Sequence, residues 1–179
     1  MDTNWLNQQE LRAWVRLAAV LELLPGVLDS QLRRDAGLTH FQYYALAILS
    51  ESPQQTLRMT SLAAATNSTL PRLSHVAQRL EDLGLTERFP CPEDARATNI
   101  RLTASGRKKV RASAPGHVRN VRQHAIDALS PEQVSQLTAI TDAILRRLDP
   151  AETMSQTYRR YDSAPPESGR ESTATKAGR

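Results

Sequence analysis

The chain has a single cysteine in 179 residues, which excludes an intrachain disulfide. A thiol without a partner fits a reducing compartment, so the expected location is the cytoplasm. Aromatics are scarce at 4%, and apolar residues reach only 40%. That is a modest core for one chain, and burial shared between two copies would supplement it. No run approaches the ~18 uncharged apolar residues that a membrane span needs, so no membrane partner is expected. Met1-Asp2-Thr3-Asn4-Trp5 has no basic segment leading into an apolar stretch, and no secretory signal is read there. Catalytic constellations are also missing. No glycine-rich phosphate loop follows a strand, no Ser/His/Asp order carries a nucleophile elbow, and no carboxylate pair falls in a cleft. The chain is read as a non-enzyme. His117 and His124 stand seven apart on one expected helix, whereas helical metal ligands usually stand four apart. His40 and His75 are the other two histidines, and with a single cysteine no structural zinc site is read, so neither a metal nor a cofactor is expected.

What is present is concentrated between residues 60 and 103. The pattern reads as a short helix over 60–66, a tight turn, and a second helix over 68–83. A ribbon follows, going out over 85–89 and returning over 99–102, with 90–98 as its tip. Ser68 is the expected cap of the second helix, and Pro71 falls in its first turn, where a missing N–H costs nothing. Leu73, Val76, Ala77, Leu80 and Leu83 recur at helical spacing, facing Leu62 and Ala63. Gly84 stands where a left-handed cap is wanted. The opposite side carries Pro71, Ser74, His75 and Gln78, flanked by Arg72 and Arg79. By itself such a side is an ordinary solvated face. The ribbon changes the reading. The two prolines and the charges after them are expected to end strand pairing, leaving Arg96 at the far end of a projecting hairpin. A cation there suits the narrow, electronegative minor groove, and Asp94 is placed to hold its guanidinium. The order is that of a winged helix-turn-helix, which sets one helix in the DNA major groove and a ribbon beside it.

Charge placement agrees. Residues 68–111 hold nine Lys/Arg and five Asp/Glu, an excess of four, equal to the net charge of the whole chain. A local positive excess is the footprint of a phosphate-binding surface. The expected DNA-binding set is Ser68, Thr69, Pro71, Arg72, Ser74, His75, Gln78, Arg79, Asp94 and Arg96. Arg88, Arg101, Lys108 and Lys109 are expected as backbone contacts or simply nearby surface.

Asp94-x-Arg96 followed by Leu102-Thr103-Ala104-Ser105-Gly106 resembles the wing signature of MarR-family transcriptional regulators. Arg79-Leu80-Glu81 running into Gly84-Leu85-Thr86-Glu87-Arg88 is similar to the family's recognition-helix end. Gly37-Leu38-Thr39-His40-Phe41-Gln42-Tyr43-Tyr44 resembles its entry into the second helix. The likeness spans residues 11–148. It implies a dimeric winged-helix protein, commonly a repressor, often released from DNA by a small aromatic ligand or by thiol oxidation. Residues 1–149 then form one MarR-like domain, mainly α with a small β-wing. Within it, 10–36 and 104–148 are dimerisation helices and 39–103 the winged module; beyond it, 150–179 reads as a disordered tail.

The flanking helices follow from spacing and caps. In a helix over 10–34, Leu11, Trp14, Val15 and Ala18 lie on one side and Leu21, Leu24, Leu28 and Leu32 continue the stripe, with a kink expected at Pro25. Thr39 and Gln42 form a capping box for a helix to residue 50, and 56–58 reads as a short strand. A helix over 104–129 is expected to bend or split near Ala114, before Pro115-Gly116. Ser130-Pro131-Glu132-Gln133 starts a last helix to residue 148, with Val134, Leu137, Ile140, Ile144, Leu145 and Leu148 facing in.

An effector pocket is expected where the pairing helices meet the winged module. Trp14, His40, Tyr43 and Tyr44 are candidates for its wall, and Arg16 or His117 for a polar anchor. Core packing is the plainer account of each. Cys91 would serve redox sensing only with a lowered thiol pKa and a resolving thiol or a peroxide pocket. The partners expected are double-stranded DNA, a second copy of the chain, and a small-molecule effector. Two other functions fit the same shape: a winged-helix module that binds protein rather than DNA, and a nonspecific architectural DNA binder.

Overall fold

The computed structural model describes residues 3–162. Asn7 caps the first helix, α1 (Gln8–Ala36), through a capping box with Glu10. The helix runs unbroken through Pro25 and ends on Gly37 at φ +63°. Thr39 and Gln42 form the expected reciprocal box at the start of α2 (His40–Glu51). A single 3₁₀ turn, Pro53–Gln55, leads into β1 (Thr56–Arg58), then α3 (Met59–Ala65) and α4 (Leu70–Asp82). The ribbon is β2 (Thr86–Cys91) and β3 (Asp94–Leu102). After it come α5 (Ala104–His124), a 3₁₀ turn over Ile126–Ala128, α6 (Pro131–Leu148) and a one-turn α7 (Ser155–Tyr158).

The sheet is antiparallel in the order β1-β3-β2, with Leu57 opposite Ile100 and Arg88 opposite the same residue from the other side. Strand pairing continues well into the stretch expected as an unpaired tip. Pro90 pairs with Thr98 and Cys91 with Asp94, with an irregularity between Pro90 and Cys91. The reason is that β2 is an edge strand. A proline there leaves no ladder bond unmade on the inner side, and bulges tolerate it. The tip shrinks to Pro92-Glu93.

The core is shared by α1, α2, α3, α4 and the sheet. Leu32, Leu46, Leu49, Leu62, Leu73, Leu80 and Ile100 are almost completely buried in it. Leu83, expected on this stripe, is instead 55% exposed, because Gly84 at φ +67° turns the chain there. The split expected near Ala114 does not occur, and α5 continues through Pro115. Proline removes one helical hydrogen bond, and α1 packs along the same stretch. Gly116 permits that approach, since a Cβ on it would lie 3.2 Å from Gln31 Nε2.

Two expectations about the ends need correction. Of the α6 residues expected to face in, Leu137, Ile140 and Leu148 are exposed while Val134, Ile144 and Leu145 are half-buried, and the N-terminal half of α1 is likewise open to solvent in a single chain. Trp14 is 54% exposed, Leu23 70%, and α6 buries no residue. The segment after Asp149, expected to be disordered, is built back onto the winged module as far as Asp162. Asp149 accepts from the N–H groups of Thr153 and Met154, both at 2.8 Å. Thr157 donates to the carbonyl of Ala65 at 3.3 Å, Tyr161 to Glu51 at 3.2 Å, and Arg160 pairs with Glu51. The rest of the expected disordered tail, 163–179, lies outside the described residues. No described helix is long and apolar enough to cross a membrane.

Candidate nucleic-acid interface

The outer side of α4 carries Pro71, His75, Gln78 and Asp82, all exposed, opposite the buried Leu73, Ala77 and Leu80. The cap is Thr69, whose Oγ1 accepts from the Arg72 N–H at 3.4 Å, and not Ser68. The cause is the turn before it. Asn67 takes a left-handed φ of +47°, and the Ser68 N–H donates to the Ala63 carbonyl at 2.8 Å. The chain therefore leaves the turn one residue later than the side-chain chemistry alone implies. Pro71 becomes the second helical residue, where no N–H is missed.

Arg72 lies with its guanidinium 4.8 Å from the centre of the Phe41 ring on α2. Ser74 turns toward the ribbon. With Leu70, Arg88, Arg96 and Thr98 it lines a cleft of about 170 Å³ between α4 and the wing. Arg79 lies on the other flank, beside Asp82, Leu83 and Thr39. Arg96 is exposed on β3, two residues after Asp94, where that strand begins. The Asp94 carboxylate accepts from the Arg96 backbone N–H at 3.1 Å. The expected bond to the Arg96 guanidinium is not among those made by the described residues. Asp94 closes the turn, and the guanidinium projects without it.

Arg88, expected at the surface, is engaged. Its Nε donates to Glu81 at 2.7 Å and its Nη2 to Gln78 Oε1 at 2.5 Å. Arg101 is paired with Glu87 at 2.6 Å and stacks over Phe89 at 4.8 Å. Phe41 and Glu81 were not selected from sequence as site residues. The Glu81 contact depends on a strand register that sequence does not supply.

Residues 38–98 match the sequence profile of the MarR family. A MarR family transcriptional regulator of Streptomyces coelicolor, Sco3205, solved in complex with DNA, is 42% identical. It superposes with a TM-score of 0.81 over 84% of this chain and 94% of that one. The chain belongs to the MarR family. A second MarR-family regulator of the same organism, AbsC, is 38% identical over 83% of this chain and 99% of that one, with a TM-score of 0.79. Transcriptional repressor MprA of Escherichia coli K12 is 27% identical over 123 residues, 69% of each chain. The protein is thus a winged-helix transcriptional regulator, and its family is one of regulators rather than enzymes.

In this MarR-family chain the second set of selected residues is only partly brought together. His40 and Tyr43 of α2 meet His117 of α5, and Tyr44 stacks on the other side of the group, against His40. The His117 ring lies 4.7 Å from Tyr43 and 6.0 Å from His40, and His40 lies 6.4 Å from Tyr44. Two buried polar atoms here, Gln31 Oε1 and His117 Nδ1, have no hydrogen-bond partner. Burial pushes the His40 pKa below 6.5, against the opposing pull of Asp29. His117 is pushed down by burial and by the neighbouring His40. Burial likewise raises Tyr43 and Tyr44. Trp14 is elsewhere. It lies on α1 roughly 22 Å N-terminal to Asp29, the residue that accepts the His40 backbone N–H at 2.8 Å. Arg16 is also remote, its Nη1 donating to the Arg12 carbonyl at 3.0 Å. Among the described residues no three His, Cys, Asp or Glu are grouped as a metal site.

Proposed function

We propose that the protein is a homodimeric, sequence-specific DNA-binding repressor. It occupies a pseudo-palindromic operator and is released by a small aromatic effector. The observation that carries the dimer is an unfilled apolar groove of about 580 Å³. Val20, Leu23, Leu24 and Val27 of α1 line one wall, and Leu137 and Ile140 of α6 the other. A face of that size left to water is unusual for a monomer, and two copies cover each other's. The pair then sets two α4 helices into successive major grooves about one helical turn apart.

Ser68, Thr69, Pro71, Arg72, Ser74, His75, Gln78 and Arg79 read bases or adjoining phosphates, and Arg96 probes the minor groove beside them. Asp94 shapes the wing turn that presents Arg96. Repression is supported by the name of the Escherichia coli relative. The effector would enter among His40, Tyr43, Tyr44 and His117, where the two unpartnered polar atoms offer it hydrogen bonds. Trp14 joins that wall only if it is contributed by the second copy. Sedimentation of the purified protein with and without genomic fragments it selects tests the reading. A dimer that binds one fragment class far above random duplex supports it. A monomer that ignores polyanions at low salt overturns it.

A further inference from the structure

Gln78 stands on the outward face of α4, and its amide is held at both ends. Nε2 donates to Asp82 Oδ1 at 2.9 Å, and Oε1 accepts from Arg88 Nη2 at 2.5 Å. Arg88 is itself fixed by Glu81. Its backbone N–H reaches Oε1 at 2.5 Å, its Nε reaches Oε2 at 2.7 Å, and its Nη2 reaches the same oxygen at 2.5 Å. The two side chains of this pair are only 21% and 26% exposed, so water competes weakly for their bonds. A forked guanidinium gripped by a carboxylate is a rigid donor.

We propose that Arg88 is a positioning residue for base selection, fixing which end of the Gln78 amide is acceptor and which is donor. A free carboxamide turns over at little cost and offers either order. Here Arg88 takes one acceptor site of Oε1, and Asp82 takes one N–H of Nε2. One acceptor and one donor remain, in a single order. In the major groove adenine offers the complement, an acceptor at N7 and a donor at N6. Guanine offers two acceptors on that edge, cytosine a donor alone, and thymine an acceptor beside a methyl group. The base selected by Gln78 is therefore adenine, and the wing strand enforces that choice without touching the base. This inference rests on the DNA-binding reading above.

The test is selection from a randomised duplex library at fixed low salt, with wild type, Gln78→Ala, Arg88→Lys and Glu81→Gln. Lysine keeps the charge of Arg88 and loses its fork. Gln78 is exposed, so its truncation leaves the fold intact. All three variants are expected to lose adenine preference at one position per half-site by about five-fold or more. Preferences elsewhere and the salt slope should match wild type. Uniform weakening by Arg88→Lys with a shallower salt slope would make Arg88 a phosphate contact and overturn the inference. So would an unchanged adenine preference in Gln78→Ala, or a change in Gln78→Ala that Arg88→Lys and Glu81→Gln do not share. If wild type selects no sequence and fails to bind duplex at low salt, the DNA-binding reading itself falls.

Discussion

Gly106, in the first turn of α5, packs so closely on Leu85 that no side chain fits between them. A Cβ there would fall inside the van der Waals shell of the Leu85 carbonyl oxygen and 2.9 Å from Leu102 Cδ2. The same carbonyl accepts the Thr103 N–H at 3.1 Å, and Thr103 Oγ1 donates to the Gly84 carbonyl at 2.7 Å. The Leu-Thr-x-x-Gly run is thus a joint between wing and pairing helix. Gly106→Ala should cost about 1–3 kcal/mol through overpacking. Thr103→Ala should cost about 1 kcal/mol through the lost cap. Denaturant unfolding checks both, and an unchanged midpoint for Gly106→Ala would refute the joint.

Much of this architecture is visible in the chain itself, for local reasons. Thr39 with Gln42, Ser130 with Gln133, and Gly84 each act through neighbours a few residues away, so their chemistry can be read directly. The errors have non-local causes. Pro90 was expected to stop pairing because nothing in sequence says that β2 is an edge. Ser68 was expected as the cap because the left-handed turn at Asn67 is invisible in composition. Trp14 was grouped with His40 on residue type, whereas the long α1 carries it far from α2 in the same chain. The Gln78–Arg88–Glu81 relay depends on strand register, which only the folded sheet sets.

The histidine pair gives a pH dependence with a definite sign. Burial holds both pKa values below 6.5, so His40 and His117 take up protons less readily in the folded state than in the unfolded chain. The unfolded chain binds more protons as pH falls through that value, and stability must fall with it. Above pH ~7 the penalty vanishes, because both states are neutral there. Between pH 7 and 5 the unfolding free energy should therefore drop. His117→Gln should flatten that drop, as read by urea titrations across the range. A slope unchanged in His117→Gln would contradict the assignment.

The segment beyond Asp149 acts as a strap from α6 to the helix-turn-helix. Tyr44 and Thr157 donate to one carbonyl, that of Ala65, at 3.5 and 3.3 Å, next to the turn that leads into α4. These contacts lie near the surface, so each contributes little. A chain ending at Asp149 should keep the oligomeric state of the full chain yet lose about 1 kcal/mol of stability. Amide exchange should show the loss concentrated in α3, and even loosening of the whole fold would argue against a strap.

Cys91 is buried at the irregular end of β2, with Arg58 Nη2 3.7 Å from its sulfur. Burial denies a peroxide or a second thiol access. DNA binding should survive peroxide treatment equally in wild type and Cys91→Ser. Loss confined to wild type would restore a sensing role.

In the proposed complex, wing and recognition helix grip one duplex together, twice per dimer. The most direct measurement is the dependence of binding on salt, compared between wild type and Arg96→Ala on the same selected duplex. Arg96→Ala should bind more weakly, with a log K against log salt slope shallower by about 1–2 units, one or more released counterions per dimer. Identical slopes for the two proteins would mean that the wing does not touch the DNA.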